Sequence, residues 1–224
     1  MDDFTQNLAE WLPELLAAAQ QTLFLTLASF AVAASLGLLV CAGFRSRSLS
    51  LRAAAQVYSE IVRGLPILVI LFMLYFGLPV VLPDLRWSTS ACAILGFGLQ
   101  GAAILAETYR AALDGVPAGD REAAKALGLT PWQALLHVVV PQAYRIALPG
   151  AGNYLVGLLK DTSIASVIAA PELMLRGKDL ASASFMPMPV YLLVACAYLI
   201  LSLPLSALVT RLEERHRSRR RLAA

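Results

Sequence analysis

The chain has 224 residues, of which 58% are hydrophobic and only 15% charged, with a formal net charge of +3. A soluble domain of this size would carry nearer a quarter charged residues, and the mean hydropathy of +0.68 points instead to an integral membrane protein with no room for a second large soluble domain. Cys41, Cys92 and Cys196 are scattered through apolar runs, and His137 and His216 lie far apart, which argues against a disulfide framework, a metal site or histidine-based catalysis.

The N-terminus is acidic (Asp2, Asp3, Glu10, Glu14) and lacks the positive leader of a secretory signal. A membrane-crossing helix needs about 20 mostly apolar residues. The first such stretch is expected over 15–43, between Glu14 and Arg45. A second is expected over 58–82, with Glu60, Arg63 and Gly64 near its start and Pro66 a few residues in, where a kink or an early-turn proline is tolerated. The third covers 88–113 and carries Glu107 and Arg110 near its end. The fourth covers 146–170 and is interrupted by Lys160-Asp161; the fifth covers 190–210.

Lysine and arginine in the connections set the orientation. Arg45, Arg47 and Arg52 follow the first span, and Arg121 and Lys125 lie between Arg110 and Arg145. The connection holding Arg86 is poor in basic residues; Arg176 and Lys178 in the next are balanced by Glu172 and Asp179. The tail carries Arg211, Arg215, Arg217 and Arg219 to Arg221 directly after an apolar run, which reads as a cytoplasmic anchor at the lipid surface and not as a nucleic-acid arm. The expected topology is an all-α, five-helix membrane domain over residues 1–224 with its N-terminus outside and its C-terminus inside.

Residues 114–145 then form the longest cytoplasmic connection, and 120–141 are its candidate coupling region. Asp120 is placed to cap a short helix, Glu122 sits near its positive end, and Gly128 is placed to stop it. Thr130-Pro131 restarts a helix and Pro141 is expected to close the region. Ala123, Ala124 and Leu127 share a small apolar face. These residues fit equally a helix lying on the bilayer or a docking surface for another protein.

Within the fourth span, Lys160 and Asp161 are costly at membrane depth and so are functional candidates. Adjacent residues do not face each other on a helix, so either they line a cavity or the helix is locally unwound there. Helical spacing groups Gly150, Tyr154, Gly157 and Asp161, with Asn153 and Lys160 beside them, a face suited to close packing or to a solute cavity. A self-sufficient channel or ion-coupled carrier using Lys160-Asp161 as a relay stays open on these residues alone.

The connection Glu122-Ala123-Ala124, Gly128, Val138-x-Val140-Pro141 resembles the cytoplasmic signature of the permease subunits of binding-protein-dependent ABC importers. Residues 22–40, 58–79, 101–128 and 141–173 are similar to the polar amino acid (histidine/glutamine-type) branch of that family, and the likeness runs from about residue 20 to 215. The resemblance implies a type I importer-like fold in a bacterial inner membrane. It implies coupling to an ATPase through Glu122, Ala123, Ala124, Leu127, Gly128, Val138, Val140 and Pro141. It also implies a substrate pathway near Asn153, Tyr154, Lys160, Asp161, Thr162 and Ser163. Tyr154 stands where relatives that carry cationic amino acids often have Glu, which leans against an arginine- or lysine-selective site. Arg63-Gly64-Leu65-Pro66 resembles the family's Arg-Gly-Thr-Pro, and Glu60, Arg63, Glu107 and Arg110 read as gating or structural residues. The implied partners are an ATP-binding subunit, a second permease (a copy or a paralogue) and a periplasmic amino acid-binding protein on the outer face. No phosphate-binding loop is present: Glu172 stands where the first glycine before Gly177-Lys178 would be, and Asp179 follows. The chain is thus a transport subunit without a cofactor or enzymatic activity of its own, with ATP and Mg²⁺ on the partner.

Overall fold

The computed structural model describes residues 2–84 and 87–221, with side chains from 8 to 214 outside the same gap. Asp2, Asp3, Arg86, His216 and the arginines from Arg215 onward lie outside the described side chains. Among the described residues all regular structure is helical, as expected.

Helix α1 (Asp2–Phe44) has 43 residues, roughly 65 Å of helix, more than a bilayer core requires. It packs along α5 (Thr89–Asp114), which is the centre of the fold. The two axes approach closely because small residues face each other. A Cβ on Gly98 would lie 2.5 Å from a Val32 methyl, one on Gly101 2.7 Å from Ala33, and Gly37 sits against Leu105 and the Ala102 carbonyl. Over its apolar stretch α5 is 56% buried, whereas α10 (Pro187–Arg221) is 11% buried. α10 therefore keeps an open apolar flank, with Leu192, Leu199, Ile200 and Leu203 exposed.

The stretch expected as one span over 58–82 is two helices. α2 (Leu49–Gly64) ends at Leu65, and α3 (Ile67–Phe72) leaves at 103° to it. The cause is Pro66, which disfavours helical geometry in the residue before it; Leu65 is extended, with φ −91° and ψ 135°. The freed Leu65 carbonyl accepts a bond from Gln100 Nε2 at 3.1 Å, so α5 pins the corner. α3 continues through a π turn (Met73–Gly77) into α4 (Leu78–Val81).

A second π turn (Leu135–Val139) joins α7 (Pro131–Ala134) to α8 (Val140–Asp161). Each π turn stands just before a proline, Pro79 or Pro141. The wider turn accommodates the proline ring, which would otherwise clash with the carbonyl four residues back. Pro141 consequently does not close the cytoplasmic region; α7 and α8 run through it as one helical rod.

Three helices are long and apolar enough to cross a membrane (8–44, 89–114 and 187–214), and the bent pair α2 and α3–α4 makes a fourth. α8 falls short, since Gln142, Arg145, Asn153, Lys160 and Asp161 dilute its apolar residues. Its α geometry stops at Asp161 and tightens to a 3₁₀ helix over Thr162–Ile168, so the local departure from regular helix falls directly after the Lys160-Asp161 pair.

Helix α9 (Leu173–Ser184) starts against the sides of α1 and α10, where its first amide groups need internal partners. Glu172, 1% exposed, supplies them: its carboxylate accepts from Met174 N at 2.8 Å and Leu175 N at 2.6 Å, and also from the Tyr198 hydroxyl of α10 at 2.7 Å. Leu173 N donates to Thr22 Oγ1 of α1 at 3.0 Å. Glu172→Ala is expected to lower stability by about 2 kcal/mol, and Tyr198→Phe, which keeps both amide bonds, by about 1 kcal/mol. Thermal unfolding in detergent measures both; an equal loss in the two variants would move the main role from the cap to the phenol.

Candidate functional site

Two regions collect the residues singled out in the sequence. The first is α6 (Ala118–Ala126), a short helix between α5 and α7. Its N-cap is Pro117, not the expected Asp120, which falls inside the first turn where its carboxylate still faces the positive helix end. The stop is where it was expected. Gly128 has φ +74°, its N–H donates to the Lys125 carbonyl at 3.0 Å, and Leu129 N–H donates to the Ala124 carbonyl at 3.1 Å. This pair of bonds is a Schellman closure, which needs the left-handed region at that position. Space is not the constraint, because nothing lies within 4 Å of a Cβ built on Gly128. Thr130 then opens α7 with a reciprocal capping box to Gln133.

The coupling candidates divide by exposure. Ala124 is buried and Val138 half-buried, while Glu122, Ala123, Gly128, Val140 and Pro141 are exposed and Leu127 is 79% exposed. Trp132, 66% exposed, flanks the same turn; its place after Thr130-Pro131 was the only hint of it in the sequence. Arg121 was counted there only as a cytoplasmic charge. Its Nη2 donates to the Leu113 carbonyl in the last turn of α5, a contact made possible by the short link Gly115–Pro117 that folds α6 back beneath α5.

Around this end the helices are tied by charges. Arg45, in the turn directly after α1, pairs with Asp114 of α5 at 2.7 Å. Glu107 accepts from Arg110 at 2.6 Å and lies 3.9 Å from Arg63, and the Arg110 guanidinium stands 5.1 Å over the Phe44 ring. These side chains are between a quarter and three fifths exposed, so each pair contributes about 0–1 kcal/mol. Glu60 is exposed and joins none of these pairs, Gly64 has open space around it, and Pro66 acts through the corner described above.

The second region is the C-terminal half of α8 with the 3₁₀ turn after it. The residues that helical spacing put on one face separate. Gly150 sits against Thr108 and Tyr154 against Gly101, both on α5. The Tyr154 hydroxyl donates to the Phe97 carbonyl at 3.4 Å, and its ring lies 6.3 Å from Phe30. Gly157 meets nothing within 4 Å, and Asn153, Lys160 and Asp161 are exposed. Thr162 is buried and donates to the Leu159 carbonyl at 2.7 Å, and Ser163 donates to the Lys160 carbonyl at 2.7 Å. Lys160 and Ser163 line a cleft of about 400 Å³ with Met174, Tyr191, Val194 and Tyr198. Asn153, Gly157 and Asp161 thus form an open polar strip beside a cation-rimmed, mostly apolar cleft. Such a surface suits a second membrane subunit or a small polar solute, and it offers no nucleophile paired with a base.

A model of the family described as binding-protein-dependent transport system inner membrane component matches residues 14–218. The chain belongs to that family. This transport-system membrane component is 38% identical over 197 residues to the "Probable amino-acid permease protein YxeN" of Bacillus subtilis strain 168, covering 88% of each chain. It is 35% identical over 207 residues to the glutamine transport system permease protein GlnP of Escherichia coli K12, covering 91% of this chain and 93% of that one. Its fold matches a crystal structure of an amino acid ABC transporter with histidines at a TM-score of 0.88 and 28% identity, over 94% of this chain and 97% of that one. The type I importer-like helical architecture expected from the sequence is therefore the one observed.

Two outcomes test the local geometry of this permease. Gly101→Ala is expected to cost about 1–3 kcal/mol by overpacking, because its Cβ would collide with the Tyr154 hydroxyl. Adding Tyr154→Leu should recover part of that loss in a double-mutant cycle, and simple additivity would show that the two do not press on each other. Gly128→Val should loosen α6 by about 1–2 kcal/mol through its left-handed backbone, seen as faster amide exchange over residues 123–129, while Gly128→Asn should stay close to the parent.

Proposed function

We propose that the chain is the membrane-spanning subunit of an importer for polar amino acids, driven by ATP hydrolysis on a separate polypeptide. The observation that carries this is α6: a helix stopped by a Schellman turn, exposing Leu127 and Trp132 beside that turn, in a chain with no phosphate-binding loop of its own. An exposed apolar pair flanking a short, well-defined turn is a surface for another protein. The ATP-binding subunit docks there against Glu122, Ala123, Leu127 and Gly128, with Val138, Val140 and Pro141 on the adjoining rod, and holds ATP and Mg²⁺.

The chain sits in a bacterial inner membrane with five spans, its N-terminus outside, and α8 as the fourth. α8 is too polar to face lipid on all sides, and its open strip of Asn153, Gly157 and Asp161 is covered by a second permease subunit. The solute passes between the two subunits near Asn153, Lys160 and Asp161; Tyr154 shapes that wall through its seat on α5. A periplasmic binding protein delivers a polar amino acid, in keeping with the glutamine and amino-acid transport named for the similar proteins. Arg63, Glu107 and Arg110 brace the cytoplasmic ends of α2 and α5. ATP binding moves α6 and shifts the balance between inward-open and outward-open states, which requires differential contacts in the two.

The test is reconstitution of the chain with an ATP-binding subunit, a partner permease and a secreted binding protein of a polar amino acid importer. ATP-dependent uptake that needs the binding protein is the expected result, and uptake by the chain alone under an ion gradient would refute the proposal. Leu127→Glu should weaken retention of the ATPase subunit by about tenfold or more while the permease still inserts; Asp161→Ala should lower uptake with the ATPase still bound.

A further inference from the structure

The backbone link between α5 and α6 is only Gly115–Pro117. Within it Val116 is buried with Val139 and Ala143 of the α7–α8 rod, which keeps α6 close without setting how it turns. α6 also packs on α7 and the π turn with Ala124 buried, an apolar contact that has no directional preference. Direction comes from Arg121. It is the one residue of α6 whose side chain, among the described residues, reaches a membrane helix through a hydrogen bond, to the Leu113 carbonyl. That carbonyl is one of those a helix end leaves unpaired, and a cation there is favoured by the helix dipole. Arg121 Nε is buried at the same place without a partner, so the guanidinium is held by this one bond.

Leu113 lies next to Asp114, which Arg45 ties to the end of α1, and one to two turns beyond Glu107 and Arg110, which reach Arg63 of α2 and the Phe44 ring of α1. The cytoplasmic ends of α1, α2 and α5 are therefore mutually bound, and Arg121 fastens α6 to that group.

We propose that Arg121 is the positioning residue that passes a displacement of α6 to α5, and with it to α1 and α2. Without this bond α6 slides over the rod on its link and on the Gly128 turn, and ATPase movement is spent without moving the central helix. This rests on reading α6 as the docking helix of a separate ATPase.

The experiment uses the full complex in liposomes with a radiolabelled mixture of amino acids, and reads the amount taken up per ATP hydrolysed. The parent complex is scored first: loss of the ATPase subunit there sinks the docking reading and the Arg121 inference with it, whereas a coupled parent leaves the Arg121 variants to test the inference alone. Arg121→Leu is expected to assemble and to hydrolyse ATP at the parent rate, with uptake per ATP lower by about fivefold or more. Arg121→Lys, which restores a charged donor, should recover most of it. Unchanged uptake per ATP in Arg121→Leu overturns the proposal, and so does a parallel fall of hydrolysis and uptake in an assembled complex. If Arg121→Leu does not assemble, Arg121→Gln is read by the same ratio; if neither assembles, Arg121 is only a structural prop and the proposal fails.

Discussion

The close seam between α1 and α5 is the contact on which the other placements depend. Ala33 and Gly37 on one side and Gly98, Gly101 and Ala102 on the other let two backbones approach. In an apolar solvent such packing, and not the expulsion of water, holds helices together. α5 becomes the central element, and each of its other surfaces then carries something. Gln100 pins the α2–α3 corner, Phe97 and Gly101 seat Tyr154 of α8, and the last turn receives Arg45 and Arg121.

A second constraint is that backbone groups removed from water need partners. At Pro66, Pro79, Pro141 and the start of α9 this chain answers the constraint locally. π turns precede Pro79 and Pro141, the Leu65 carbonyl freed by Pro66 is taken by a side chain, and Glu172 closes the start of α9. The apparent breaks in the helices are therefore defined corners, and the α7–α8 rod carries the cytoplasmic end into the membrane domain without a flexible joint.

Much of the helical outline was legible in the sequence, because apolar runs and capping residues act over a few positions. The bounds of α5, the stop at Gly128 and the restart at Thr130 follow from local chemistry, whereas α10 runs on to Arg221, past the expected end at 210. The corner at Leu65 was only half legible: Pro66 announces a disturbance, but a kink and a 103° turn differ in what Gln100, 35 residues away, does to the freed carbonyl. Pro141 misled for a similar reason, since a proline usually ends a helix and only the preceding π turn lets it continue. Asp120 was displaced from the cap into the first turn because Pro117, with ψ 138°, already takes the N-cap position and α6 starts at Ala118. At the candidate sites, periodicity could list the residues of α8 on one face but could not say which neighbour each would meet. Tyr154 found Gly101 while Asn153 and Asp161 stayed open, and the reach of Arg121 to Leu113 depends on a three-residue link folding back.

By itself the sequence determined that this is a helical membrane protein of the binding-protein-dependent transport family, with a short capped helix between its third and fourth apolar stretches. Those features reside in composition, short-range spacing and a motif, all carried by neighbouring residues. Only the tertiary structure decided that α5 is the hub, that Glu172 and Tyr198 lock α9 to α10, that Gly128 is required for its backbone angle and not for room, and that Arg121 joins α6 to the end of α5. Each of these depends on the meeting of residues far apart in the chain, and such meetings are set by three-dimensional packing, which no local pattern encodes.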